Sequence, residues 1–195
     1  MASVVQIAKF ALSHLGDRWE ISSLSEESAE ARQCNLHYET SRDAALRDMA
    51  PNWAVSYTEG TSLSGTVPGL WLYMYAYPSN CLRLIEIVNP LGKNVEPIPF
   101  EVANVGGIRV ILTNQAEAEL RFVVRVTDPN VFDPLFIKAL SFRLAADIAI
   151  PLGASKEQPK MEQNYWIAIG RAGVISANEG VSNTRPESEF MQARQ

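Results

Sequence analysis

The spacing of apolar residues changes twice along this chain, and this change limits the folds that it can adopt. In residues 4–15 apolar side chains recur every three to four positions, with Ser3 before them and Gly16 after them, which predicts a capped helix. Helical spacing returns after Asp133, whereas several short runs between residues 70 and 126 alternate with a period of two. Helices at both ends with strands between them predict an α+β fold.

A long second helix is predicted over residues 26–50, ending before Pro51. Ser23 or Ser25 would cap its start, and early glutamates would favour the positive end of its dipole. Acidic residues outnumber arginines on its polar surface, and this surface is interpreted either as a solvated face or as a subunit contact or channel wall. The candidate residues for the second interpretation are Glu27, Glu30 and Glu39.

The middle of the chain predicts a small antiparallel sheet. Residues 53–69 have loop composition, and residues 70–77 form the first predicted strand. Gly106-Gly107 predicts a two-residue hairpin turn between strands 100–105 and 108–112. Further strands are predicted over 82–88 and 120–126. Four aromatic residues share one face of the first strand and are candidates for an interface of the β-domain: Trp71, Tyr73, Tyr75 and Tyr77.

The C-terminal part returns to helix and then becomes polar. Asp133 and Pro134 open one helix, which Pro151 closes, and Ser155 followed by Gln158 opens the last one. The predicted organisation has three parts. A helical bundle comprises residues 1–56 and 130–178, an inserted small antiparallel β-domain comprises 57–129, and an extended C-terminal tail comprises 179–195.

Composition argues against several classes of function. The net charge is −5 and the pI about 5.1, with no basic stripe of the kind that neutralises duplex phosphates. Cys34 and Cys81 lack CxxC spacing and are interpreted as small buried hydrophobic residues in a reducing cytoplasm. No apolar run approaches the ~20 residues that span a bilayer, and no secretory signal pattern opens the chain, so no membrane association is expected.

The sequence offers little for catalysis. His14 and His37 are the only histidines, and neither is accompanied by a convincing nucleophile or a second metal ligand at helical spacing. Asp128, Asp133 and Asp147 are spread over a turn, a cap and a helix. We therefore expect no enzyme activity, no cofactor and no metal. One alternative is a sugar- or single-stranded nucleic-acid-binding module that uses the aromatic strand 71–77, and a second is a small hydrolase that uses the scattered carboxylates.

Short motifs along nearly the whole chain together resemble phage tail tubular protein A, a family of head-to-tail adaptor (connector) proteins. The motifs are Ala11-Leu-Ser-His-Leu-Gly-Asp17, Ile21-Ser-Ser-Leu24, Glu30-Ala-Arg-Gln-Cys34, Ser41-Arg-Asp43, Leu46-Arg47, Trp53, Tyr77-Pro-Ser-Asn-Cys-Leu-Arg83, Thr127-Asp-Pro129, Phe132-Asp-Pro134, Ala139-Leu140, Leu144-Ala-Ala146, Ile148-Ala149, Phe190 and Ala193-Arg194.

This resemblance implies a structural virion protein of a tailed bacteriophage, made in the host cytoplasm and placed at the head–tail junction. It implies a ring of subunits, expected to be a dodecamer, that binds the portal protein on one side and a tail or nozzle protein on the other. DNA would pass through the ring without specific binding. The C-terminal tail would then bind the portal, through Arg185, Phe190, Met191 and Arg194.

Overall fold

The computed structural model describes residues 3–16, 18–91 and 96–178, and their fold is α+β, which confirms the predicted class. The helices are α1 (Val4–Leu15), α2 (Ala29–Met49), α3 (Pro134–Ala149) and α4 (Gln158–Asn178). The strands are β1 (Val55–Glu59), β2 (Tyr73–Ala76), β3 (Cys81–Ile87), β4 (Phe100–Val105), β5 (Ile108–Thr113) and β6 (Glu119–Val124).

Two helices begin and end where the capping signals predicted. The Ser3 hydroxyl accepts a hydrogen bond from the Gln6 amide at 3.2 Å at the start of α1, and Gly16 follows its last turn. The Asp133 carboxylate accepts one from the Leu135 amide at 2.7 Å at the start of α3. Each cap satisfies an amide that has no partner within its helix.

The start of α2 differs from the prediction. The helix begins at Ala29, not at residue 26, and its cap is Ser28, whose hydroxyl accepts a hydrogen bond from the Ala31 amide at 3.1 Å. The Glu26 carboxylate instead accepts hydrogen bonds from the amides of Ser22 and Ser23, so the residues before α2 form a turn. Because these hydrogen bonds hold residues 22–26 in a turn, the chain becomes helical only from Ala29.

α3 lies at the centre of the helical unit, because it contacts each of the other three helices. Phe136, Leu140, Leu144 and Ile148 are fully buried on it, as their spacing predicted. Burying each such side chain stabilises the fold by ~1.5–3 kcal/mol. They pack with buried residues of the other helices: Ile7, Leu12, Leu46, Met161 and Tyr165.

The strands form two antiparallel sheets rather than the single sheet predicted. Sheet A has the order β1-β6-β3 and sheet B the order β2-β5-β4. One face of sheet A, with Val123, Leu82 and Ile85, packs on the helical core. The other face packs on sheet B and forms a second core, which holds Leu84, Leu120, Phe122, Tyr75 and Ile111. Sheet A therefore lies between the helices and sheet B.

Two segments of the β unit differ from the prediction, whereas the predicted hairpin turn is confirmed. Residues 55–59, predicted as loop, form β1, which pairs with β6 along its whole length. This places the predicted domain boundary at residues 56–57 inside a strand. The strand predicted over 70–77 is limited to β2, residues 73–76. The hairpin is confirmed, since Gly106 and Gly107 have φ values of 61° and 84° between β4 and β5.

The two units are joined by a clamp centred on Asp43 of α2. Its Oδ1 accepts hydrogen bonds from Arg42 Nε and Nη2 at 3.0 and 2.8 Å, and its Oδ2 accepts one from Arg125 Nε, just after β6, at 2.7 Å. Arg47 of the same helix donates to the Leu82 carbonyl of β3. The β unit is thereby fixed to α2 by charged and backbone contacts as well as by apolar packing.

Candidate functional site

α4 exposes a continuous apolar surface. Its inner side packs on α3 through Met161, Tyr165 and Ala172, all buried. On the opposite side Trp166, Ile167 and Val174 are 52%, 46% and 64% exposed. Gly170 lies between them, and a Cβ there would meet nothing within 4 Å. Positions three to four apart share one helix face, so these four residues form a single surface, called here the α4 stripe.

Charged residues border the α4 stripe on both sides. Lys160 and Arg171 are exposed and lie next to Ile167 along one edge, because they precede and follow it by seven and four positions. Glu162 is exposed on the other edge, beside Trp166. An apolar centre with a charged rim is the usual composition of a protein-binding surface.

A second apolar surface lies on the β unit, in the loop that enters β2. Leu70 and Leu72 are 95% and 67% exposed, and Tyr73 at the start of the strand is 37% exposed. The Leu72 amide donates to Asn114 Oδ1 at 3.0 Å, which ties this loop to the end of β5. Residues 70–73 are called here the β tip.

The four predicted aromatic residues do not form one exposed row. Tyr75 is buried, and its hydroxyl donates to the Gln115 carbonyl at 3.0 Å. Trp71 is half-buried and donates through Nε1 to Glu101 Oε2 at 3.0 Å. The Arg109 guanidinium covers the ring of Tyr77 at 3.9 Å, and burial, followed by the nearby Cys81 thiol, raises the pKa of Tyr77 to about 12. Of the four, only Tyr73 is exposed.

The three candidate glutamates of the second helix occupy different environments. Glu27 is exposed but precedes α2, Glu30 is half-buried in its first turn, and Glu39 is exposed near its middle. Glu39 lies at the rim of a groove that Arg42, Asp43 and Arg125 also line. The hydroxyl of Ser28 and the amides of residues 22 and 23 lower the pKa of the neighbouring Glu26, so that carboxylate is occupied in capping.

The structure brings together a serine and a histidine that sequence reasoning did not connect. His14 Nε2 lies 3.0 Å from Ser141 Oγ, and the His14 ring stacks on Phe142 at 4.3 Å. The Ser141 Oγ is also 2.8 Å from the Lys138 carbonyl oxygen, and when the hydroxyl donates there, His14 Nε2 donates to Ser141. Burial, then the charge of Lys138, lowers the pKa of His14. Since Ser141 is 2% exposed, this pair joins α1 to α3 and is inaccessible to a substrate.

The aspartates considered for catalysis have structural partners. Asp128 and Asp133 accept backbone amides at the starts of a short 3-10 turn and of α3, which confirms the turn and cap interpretation. Asp147 of α3 accepts from the Ser41 hydroxyl of α2 at 2.7 Å and from Arg143 at 3.2 Å. Asp48 of α2 accepts from the Tyr165 hydroxyl of α4 at 2.6 Å. These carboxylates link helices rather than converge on a cleft.

Both cysteines are buried free thiols, as predicted, and burial raises the pKa of Cys34 to about 11. Within residues 3–16, 18–91 and 96–178, no group of three or more His, Cys, Asp and Glu side chains could hold a metal ion. In the same part of the chain, the helices lack the length or the apolar content needed to cross a bilayer. The predicted portal-binding residues, Arg185, Phe190, Met191 and Arg194, lie outside the described residues.

Comparison of the chain with protein-family models and with curated proteins found no match.

The α4 stripe was missed by sequence reasoning, although the sequence holds a signal for it. Once Met161, Tyr165 and Ala172 are assigned to the core face of α4, Trp166 and Ile167 remain on its other side. Apolar residues on both sides of a surface helix indicate that the second side also contacts something. His14 and Ser141 are 127 positions apart, and no local pattern predicts their contact.

Proposed function

We propose that this chain is a structural head-to-tail adaptor of a tailed bacteriophage. Twelve copies would form a ring between portal and tail, around the channel through which DNA passes. The ordered motifs described above support this proposal through their resemblance to the adaptor family. The α+β arrangement, with a β unit inserted between helices, is compatible with the architecture that the resemblance implies.

The observation that carries the proposal is the presence of two separate exposed apolar surfaces. The α4 stripe belongs to the helical unit and the β tip to the β unit. Contiguous exposed apolar patches commonly mark binding surfaces on soluble proteins. An adaptor must contact its neighbours in the ring and at least one further assembly, and two surfaces on different units suit that requirement.

The C-terminal tail is the proposed portal-binding element, through Arg185, Phe190, Met191 and Arg194. One tail would bind weakly, because ordering its backbone costs ~1–2 kcal/mol per residue, whereas burying Phe190 recovers ~1.5–3 kcal/mol. A ring of tails raises the effective concentration of each. Deleting residues 186–195 should leave a folded protein that no longer sediments with portal rings, and Phe190→Ala should cause most of this loss. Equal sedimentation of truncated and full chains would remove the tail from portal binding.

The proposed channel role of the acidic residues can be tested separately. Changing Glu27, Glu30 and Glu39 to Lys should leave folding intact, because none of the three is fully buried. The ring should then retain DNA in a salt-sensitive manner, since added lysines neutralise phosphates and release counterions. A matched control places three lysines at Glu59, Glu96 and Glu119, which are exposed on the β unit. If both sets behave as wild type, α2 does not border the channel.

The most economical test of the adaptor proposal is the mass of the protein in solution, alone and with purified portal rings. The proposal predicts a discrete ring-sized species or a stable complex with the portal. A monomer that ignores the portal but retains a glycan or single-stranded DNA would contradict it and favour the binding-module alternative. The binding module would need exposed aromatic rings, whereas Tyr75 is buried and Trp71 donates a hydrogen bond to Glu101.

A further inference from the structure

The α4 stripe is an exposed apolar surface, and the residues that follow α4 in the chain are close enough and numerous enough to cover it. α4 ends at Asn178, and residues 179–195 follow it directly. Gly170 and Trp166 lie about 12 and 18 Å back along the helix from Asn178, at 1.5 Å per residue. A chain of the length of residues 179–190 can span roughly 40 Å when extended. Phe190 can therefore reach the stripe even after the chain reverses direction.

The composition of this segment complements that of the stripe. Phe190 and Met191 are adjacent large apolar side chains in a mostly polar sequence, and Glu187 and Glu189 lie just before them. The stripe offers an apolar centre at Trp166 and Ile167, with Lys160 and Arg171 exposed along one edge. Because the tail must turn back toward the start of α4, the glutamates that precede Phe190 would lie on the side of the basic Arg171, four positions after Ile167, so that opposite charges meet there. Such charge matching favours the correct partner and orientation over others.

We propose that residues 179–195 dock on the α4 stripe of their own chain, with Phe190 and Met191 covering Trp166 and Ile167 and the glutamates facing Arg171. Because the tail is tethered to α4, its effective concentration at the stripe is in the millimolar range. This is far above the concentration of tails from other copies in dilute solution. Contact within one chain therefore prevails over contact between chains.

This inference goes beyond the adaptor proposal and does not depend on it. The docked state can exist whether or not the chain ever joins a portal. If the tail also binds a portal, the two contacts use the same apolar pair and exclude each other. Docking would then keep the tail and the stripe covered in the free subunit, and arrival of the portal would expose the stripe.

Disulfide trapping in the full chain tests the docking. The pair Gly170→Cys and Ser188→Cys introduces thiols next to the anchor residues without removing any of them, and position 170 has open space for the new side chain. The native cysteines are buried. The control pair is Ser13→Cys with Ser188→Cys, since Ser13 is exposed on α1. The protein is oxidised mildly, and its mass is then measured under denaturing, non-reducing conditions. This measurement gives the rate at which the disulfide forms and shows whether it lies within one chain.

The proposal predicts an intramolecular disulfide that forms at least tenfold faster in the 170/188 pair than in the 13/188 pair. Adding Phe190→Ala, or Arg171→Glu, should slow formation of this disulfide several-fold. High salt should also slow it, because salt screens the attraction between the glutamates and Arg171. Equal rates for the two pairs, or no effect of Phe190→Ala, would overturn the proposal. Disulfide-linked dimers in place of the intramolecular product would also overturn it, because the stripe would then bind the tail of a second copy.

Discussion

Removing the carboxylate at the centre of the α2 clamp should destabilise the whole fold. Asp43 is the partner of Arg42, which is 5% exposed, and it also accepts a hydrogen bond from Arg125. In Asp43→Ala the guanidinium of Arg42 stays buried without this carboxylate. An isolated buried charge is costly because neither water nor an opposite charge compensates it.

The size of the effect follows from the burial of the two partners. Breaking a buried ion pair by deleting one partner costs ~3–5 kcal/mol. The Asp43 side chain is 23% exposed, so water can reach part of the vacated space and the cost should fall at the lower end, about 3 kcal/mol. For a chain of this size that corresponds to a decrease in Tm of roughly 6–12 °C.

Urea unfolding followed by circular dichroism measures this free energy, and two variants serve as controls. Arg125→Gln removes a partner that is 47% exposed, so it should cost less than about 1 kcal/mol. Arg42→Met combined with Asp43→Asn removes both charges and should recover most of the loss. A loss below 1 kcal/mol in Asp43→Ala, or a double variant as unstable as the single one, would refute this explanation of the clamp.

Three further predictions concern backbone strain, the aromatic strand and the thiols. Ala50 follows α2 with φ 45° and ψ 55°, so Ala50→Gly should raise the free energy of unfolding by about 0.5–1 kcal/mol in the same urea assay; a destabilised variant would contradict this. Tyr75→Asp should sharply reduce soluble yield while Tyr73→Asp should not, and equal yields would show that burial does not distinguish them. Cys34, with a pKa of about 11, should react with a thiol reagent at pH 8 only after unfolding, which mass spectrometry with and without denaturant can check.

The sequence predicted those parts of the fold that local chemistry determines. α1 and α3 begin at side chains that cap them, and the Gly106-Gly107 turn is the conformation that two glycines adopt most easily. The elements that depend on distant partners were wrong in extent. β1 was missed because the longer stretch 53–69 has loop composition, although Val55, Tyr57 and Thr58 are residue types enriched in strands and β6 pairs with them. In β2, Met74 and Tyr75 are both buried, because both faces of sheet B are covered at these positions. Buried and exposed residues therefore do not alternate along this strand.

The candidate surfaces were predictable only in part. The aromatic strand drew attention to residues 70–77, yet the exposed residues there are the β tip, and Tyr75 belongs to the core between the sheets. The glutamates were placed on one long helix, but Glu27 lies in the turn before α2. The spacing of Met161, Tyr165 and Ala172 predicts which side of α4 is buried, and the structure confirms it, but spacing does not show what the opposite side contacts.

An image of the protein bound to portal rings, obtained by single-particle electron cryomicroscopy, tests the central proposal most directly. The adaptor account predicts a ring of this chain, one copy per portal subunit, around a continuous channel, with residues 179–195 in contact with the portal. Portal rings that remain bare at saturating concentrations of a correctly folded chain would contradict the account.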